Sequence, residues 1–207
     1  MNNKKMVGFK PKKKLINLNS CSSNFDEQLI MQVCCRHTKA AFLDRDGVIN
    51  VDYGYVSRIE DLSFIDGVFS ALDYIQSKNY DIFIVTNQAG VARGYHTEAD
   101  VQALHNYMDY RFKARGIEIN GYLYCPHHVN ATVKKYSKDC SWRKPNPGMI
   151  EAIMSLHQYD KKKCFMIGDR DSDMLAANKA GIYGKKFIGG SFLSFIKENI
   201  NIWIWYK

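Results

Sequence analysis

From Lys39 onward, short apolar runs alternate with helix-length amphipathic stretches. Strand-like runs lie at 40–43, 81–85 (DIFIV) and 163–167 (KCFMI), and each stops in a polar cluster: DRDG, TNQAG or GDRDSD. Weaker strand candidates are 121–124 (GYLY) and 186–188 (KFI). Between them, Val68, Leu72 and Ile75 share one face of a predicted helix over 67–79. A second helix is predicted over 97–115, where Thr97 can cap the start and Glu98 and Asp100 meet the positive end of the helix dipole. Two more fit 147–158 and 172–180. Strands alternating with helices predict an α/β fold, a Rossmann-like parallel sheet flanked by helices. Ligands of such sheets sit beyond the carboxyl ends of the strands, where all three polar clusters fall.

The C-terminal SFLSFIKENINIWIWYK breaks the rhythm. Ile202, Ile204 and Tyr206 alternate with Trp203 and Trp205, which predicts an edge strand or tail packed on the domain. The other reading is a partner-binding patch.

At 207 residues, 46% hydrophobic and 24% charged, the chain is long and apolar enough for one folded domain. No apolar run reaches the roughly 18 residues that cross a membrane. Residues 1–37, rich in Lys, Asn and Ser, read as a basic, poorly ordered extension, and 38–207 as the domain. Residues 1–38 carry seven basic and two acidic residues, hence five of the eight net positive charges. That leader lacks interleaved aromatics and no nucleic-acid module follows, so no nucleic-acid partner is expected. No apolar segment of signal-peptide type follows the basic start, so the six cysteines are expected as thiols or metal ligands. A cytoplasmic monomer is the expectation.

The first polar cluster sets the chemistry. Asp44 and Asp46 are two residues apart, so beyond a strand end they converge on one site. Crowded carboxylates are tolerable around a divalent cation, and hard oxygen ligands suit Mg²⁺. The second run ends in Thr86-Asn87, the loop before 147–158 supplies Arg143-Lys144, and the last run ends in Gly168-Asp169, with Asp171 and Asp173 following. A carboxylate nucleophile, a second acid, a hydroxyl, a lysine and a cation are the parts of a phosphoryl-transfer site.

The order DxDG, apolar-TNQ, RKP, apolar-GDRxxD resembles the haloacid dehalogenase (HAD) superfamily of aspartate-nucleophile phosphatases. The phrases FLDRDGVINVDYGYV, FIDGV, VTNQAGVARGYHTE, YCPHH, RKPNPGM and GDRDSDM are similar to the branch holding the heptose bisphosphate and histidinol-phosphate phosphatases. The resemblance spans about 38–190. It implies a HAD fold without a large cap domain, since only about 40 residues separate Asp46 from Thr86. It implies Mg²⁺-dependent removal of the C7 phosphate from a small phosphorylated sugar, D-glycero-D-manno-heptose 1,7-bisphosphate, through an aspartyl-phosphate. The alternatives are a histidinol-phosphate phosphatase and a catalytically silent HAD-fold binding protein. By the resemblance, Asp44 is the nucleophile, Asp46 the acid and base, and Thr86 and Lys144 hold the phosphoryl oxygens. Asp44, Asp46 and Asp169 hold Mg²⁺. Substrate contacts are implied for Asp52, Tyr53, Gly54, Tyr55, Thr86, Asn87, Gln88, Ala89, Arg143 and Lys144. Arg93 is a further anion-contact candidate from its place in the GVARG loop.

Relatives of this branch carry a zinc knuckle, Cys-x-His then Cys-x-Cys. Here Cys125, His127 and Cys140 remain, but Trp142 stands at the fourth position. Structural zinc sites are closed by four protein ligands. Either His128 or Asp139 completes the set, or Trp142 packs the loop in place of the metal.

Overall fold

Two strands buried on both faces place the site. In the computed structural model, which describes residues 13–16, 31–34 and 36–203, β1 (Lys13–Ile16) pairs antiparallel with β2 (Met31–Cys34) in a separate two-stranded sheet. Apart from these strands and residues 36–37, the expectation of a poorly ordered extension over 1–37 falls on residues outside those described. β3 (Ala40–Leu43), β4 (Asp81–Asn87), β5 (Gly121–Cys125), β6 (Phe165–Gly168) and β7 (Tyr183–Lys186) form an all-parallel sheet in the order β5-β4-β3-β6-β7.

Successive residues of the central strands serve opposite cores. Ala41, Leu43, Ile82 and Ile84 pack against α1 (Val68–Ser77), α3 (Glu98–Lys113) and α6 (Phe192–Trp203). Ala40, Phe42, Phe83 and Val85 pack against α4 (Gly148–Met154) and α5 (Asp171–Ala180). Helices on both faces explain why these strands are continuously apolar rather than alternating with polar residues. The short α2 (Ala89–Ala92) follows β4 directly. No large cap is inserted between the motifs among the described residues, and none of their helices is long and apolar enough to cross a membrane.

The predicted helices are observed within a few residues, and Thr97 does cap α3, exchanging bonds with Asp100 in a capping box. The C-terminal expectation is corrected. Residues 192–203 are helical, because Phe192, Ile196 and Ile200 recur every four residues and bury one stripe on the α1 side. The Ile–Trp alternation that implied a strand covers too few residues to compete, and 204–207 lie outside the described residues. The last strand is 183–186, not 186–188, and Phe187 follows it into the core.

The sheet's amino-terminal edge is knotted by Asp81. Its buried carboxylate accepts from the Arg36 N–H (2.7 Å), Tyr159 Oη (2.8 Å) and Asn120 Nδ2 (3.3 Å), and meets His37 Nδ1 (2.8 Å).

Candidate active site

Asp44 follows β3, and its N–H still bonds the Ile167 carbonyl (2.9 Å), so the strand geometry aims its carboxylate over the sheet's carboxyl edge. Asp44 is 7% exposed and Lys144 3%. The Lys144 ammonium meets Asp44 Oδ1 (2.9 Å) and Asp173 Oδ1 (2.7 Å) and donates to the Val85 carbonyl (2.9 Å). Burial lifts the Asp44 carboxyl to about 7, against the pull of Lys144, with Asp173 and Asp46 adding to the rise. Burial pulls the Lys144 ammonium down, but Asp44 and Asp173 outweigh it and the net shift is upward.

Two residues expected to touch substrate line the cavity and also brace this centre. Asn87 grips the Lys144 main chain from both sides, accepting from its N–H (3.0 Å) and donating to its carbonyl (2.9 Å). The Gln88 amide donates to Asp46 Oδ2 and to Thr86 Oγ1 (3.0 Å each), and its carbonyl accepts from Arg45. Asp46 also accepts from Arg45 and from Asn50 Nδ2, which fixes its carboxylate beside the cavity.

A cation fits three carboxylates here. Asp44, Asp169 and Asp173 each place an oxygen within 4.8 Å of the others. Asp169 Oδ1 is buried with no hydrogen-bond partner, and burial, then Asp173, raises that carboxyl's pKa. Three carboxylates facing one ammonium leave negative charge that a hard divalent ion would neutralise. Asp173 joins Asp44 and Asp169 in this side-chain cluster, beside the Asp46 position that the sequence reading also assigned to the cation. Two glycines allow the crowding. A Cβ on Gly47, whose φ is +82°, would lie 2.5 Å from Asp169 Oδ2, and one on Gly168 would lie 2.2 Å from the Asp173 carboxyl carbon.

Above the centre opens a cavity of about 360 Å³, lined also by Asp52, Gly54, Tyr55, Ala89, Arg93, Arg143 and Arg170. Each arginine is held. Arg170 bonds Asp52 (2.7 Å), Arg143 donates to the His127 carbonyl (3.1 Å), and Arg93 lies over the Tyr55 ring (5.5 Å). Burial first lowers the Arg143 pKa, and Arg93 and Arg170 contribute to the fall by their like charge. Tyr53 does not line this cavity. It is 65% exposed and faces a shallow neighbouring depression with Glu60 and Asp61.

Sequence reasoning missed Arg45, Arg170 and the part played by Asp173. The run GDRDSD contained the last two, but which carboxylate turns inward depends on α5: Asp171 pairs outward with Lys186, whereas Asp173 faces Lys144.

Cys125, His127 and Cys140 are buried and offer ligand atoms within 4.8 Å of one another. Neither suggested substitute joins them, since His128 Nδ1 accepts from the Asn130 N–H and Asp139 is exposed. Trp142 is buried in the same core as Cys125 and Cys140. The three donors are close enough together to share one metal ion, and no fourth ligand residue joins them among the described residues.

A HAD-hydrolase-like family model matches residues 141–184. The D-glycero-beta-D-manno-heptose-1,7-bisphosphate 7-phosphatase of Photorhabdus laumondii is 44% identical over 149 residues, 72% of this chain and 79% of that one. The Escherichia coli K12 protein of the same name is 39% identical over 166 residues, 80% of this chain and 87% of that one. Among solved structures, a Mesorhizobium loti protein described as a HAD-like phosphatase superposes with a TM-score of 0.74 at 26% identity, covering 84% and 93% of the two chains. A D,D-heptose 1,7-bisphosphate phosphatase from B. bronchiseptica, complexed with magnesium and phosphate, superposes with a TM-score of 0.66 at 27% identity, covering 78% and 87%.

Proposed function

Because this chain belongs to the D-glycero-beta-D-manno-heptose-1,7-bisphosphate 7-phosphatase family of HAD-like hydrolases, and is thus a phosphoric monoester hydrolase, we propose that it removes the C7 phosphate of that heptose bisphosphate from a centre built on Asp44. The observation that carries this reading is the pairing of buried Asp44 with Lys144 beneath a cavity rimmed by three guanidinium groups.

In the proposed mechanism an Asp44 oxygen attacks phosphorus as the bond to the C7 oxygen breaks. Asp46 gives its proton to that departing oxygen. Water then attacks phosphorus of the aspartyl-phosphate, Asp46 takes the water's proton, and phosphate leaves with Asp44 restored. Lys144 and the Thr86 hydroxyl hold the phosphoryl oxygens, where charge shifts in the transition state. Mg²⁺, held by Asp44 and Asp169 with Asp173 beside them, would supply charge neutralisation at those oxygens. Arg93, Arg143 and Arg170 would receive the phosphate that is not transferred. Two anions on one small sugar suit that rim better than the imidazole of histidinol phosphate does.

The test is phosphate release from both anomers of the heptose bisphosphate, histidinol phosphate and a nucleotide 3′-phosphate. The beta anomer of the heptose bisphosphate is expected to give the highest kcat/KM, leaving heptose 1-phosphate as product. Faster turnover of histidinol phosphate, or release of the C1 phosphate, overturns the proposal.

Cation binding should depend on pH in a defined direction. The unfolded chain ionises Asp44 near the ordinary carboxylate value, about 3.9, whereas the folded chain holds the proton to about 7. Stability owed to that proton is present below about pH 4 and is lost as pH rises towards 7. A bound cation stabilises the ionised form, so added Mg²⁺ should raise Tm more at pH 7.5 than at pH 5. Equal shifts at both values would separate Asp44 from the cation site.

Zinc at Cys125, His127 and Cys140 is part of the same reading, with an open fourth position. Near one equivalent of zinc in the purified protein is the expected result, and its absence would leave the loop to protein contacts alone. A cytoplasmic location is likewise proposed, supported by Cys125, Cys140 and Cys164 lying outside any disulfide, and with it a monomeric state.

A further inference from the structure

Glu98 makes a contact that the reaction itself does not use. It opens α3, and its two carboxylate oxygens each accept a phenol hydrogen: Oε2 from Tyr124 Oη (2.9 Å) and Oε1 from Tyr136 Oη (2.6 Å). Tyr124 belongs to β5, and Tyr136 ends a single 3-10 turn, Lys134–Tyr136, inside the 125–142 loop. Both tyrosines are 5% exposed. Burial first, then the Glu98 carboxylate, pushes both phenols far above their ordinary range, so both remain donors at any working pH.

From Tyr136 the contacts run on to the rim. Its carbonyl accepts from the His128 N–H (3.1 Å), and its ring lies 6.0 Å from that of His127. The His127 carbonyl in turn accepts from Arg143 Nη1 (3.1 Å). The same loop is tied to α2 where Val133 N–H donates to the Ala92 carbonyl (2.9 Å). Protein contacts thus lead from α3 to a rim arginine, in a loop whose Cys125, His127 and Cys140 cluster has no fourth ligand residue among the described residues.

We propose that Glu98 is a positioning residue, whose fork onto Tyr124 and Tyr136 sets the loop that holds the Arg143 guanidinium at the cavity mouth. Substrate binding depends on it, and the chemical step does not. Asp44, Asp46, Thr86 and Lys144 stand at β3, β4 and the Asn87 brace, outside this path. The inference rests on the reading that Arg143 meets substrate, not on which sugar phosphate that substrate is.

The test is a double-mutant cycle. Tyr136→Phe removes one oxygen and keeps the ring's packing, and Glu98→Gln leaves one phenol without its carboxylate partner. Each is assayed alone and on an Arg143→Ala background, with Tm followed in parallel, using whichever ester the substrate panel shows to be turned over fastest. Failure of the heptose reading therefore leaves the cycle intact. Loss of a hydrogen bond to a charged group, partly absorbed by the loop, should raise KM by about 5–10-fold with kcat within about twofold. On the Arg143→Ala background either change should add less than about twofold. An equal KM penalty on both backgrounds, or a fall in kcat that matches the rise in KM, overturns the proposal, even if Tm drops as well.

Discussion

Asp44→Asn is expected to abolish turnover, lowering kcat by at least about 10⁴-fold, or some 5–6 kcal/mol of barrier. The amide has nearly the carboxylate's shape, so the change is chemical rather than steric. It removes the attacking oxygen and one anionic contact of the cation cluster. The fold should survive. Asp173 still faces the Lys144 ammonium, and burial already opposes ionisation of Asp44, so a neutral side chain should cost the folded protein little. Thermal unfolding at pH 7.5 should therefore be unchanged or slightly higher. Steady-state phosphate release together with a melting curve checks both halves. Activity within about tenfold of the unmodified chain, a barrier change of only some 1.4 kcal/mol, would sink the covalent mechanism.

Lys144→Ala should act on both rate and stability. The ammonium is, among the described residues, the cation in direct contact with both Asp44 and Asp173, and both pairs are buried. Removing it leaves two carboxylates facing each other without compensation, a situation that costs about 3–5 kcal/mol when one partner of a buried pair is deleted. It also removes a donor aimed at the transferring phosphoryl. Groups of that kind are worth about 10²–10³ in kcat. The expected result is a fall in kcat of that size with a smaller change in KM, and a lowered Tm that Mg²⁺ partly restores. An effect confined to KM would assign Lys144 to uniform substrate binding. An unchanged Tm would mean that the two carboxylates are protonated without it.

The alternation of apolar runs and polar clusters was enough to place Asp44, Asp46, Thr86 and Asp169 at one edge of a parallel sheet, because strand ends impose that geometry locally, whereas Lys144 was read from the loop before α4. What was not legible depends on contacts distant in sequence. Gln88 and Asn87 look like polar rim residues in TNQAG, yet they brace Asp46 and Lys144, a partnership across 42 and 57 positions. Arg45 follows a buried strand and should be a poor candidate for burial. It is fully buried, with Asp46, the Val56 carbonyl and Gln88 accepting from its Nε and Nη2 while Nη1 has no hydrogen-bond partner among the described residues. Trp142 reads as a lost ligand in sequence, and only packing shows it filling the core beside Cys140 and Met149. At the C-terminus, two-residue alternation over a few positions hid a four-residue repeat beginning at Phe192.

The strand order carries a consequence for synthesis. β3 has neighbours on both sides, but β4 leaves the ribosome about 40 residues after it and β6 only about 120 residues after it. Chains emerge amino-terminus first, at about 5–20 residues per second. For several seconds, then, the nascent chain can pair β3 with β4 while the other edge of β3, fully apolar, has nothing to cover it. Open apolar edges of that kind recruit foreign strands. During the same interval Asp44 has neither Asp169 nor Asp173 beside it, because both follow β6 in the chain. The three carboxylates that crowd the finished centre meet only when β6 docks, so the costliest part of the site is assembled after β3, β4 and β5 exist to hold it.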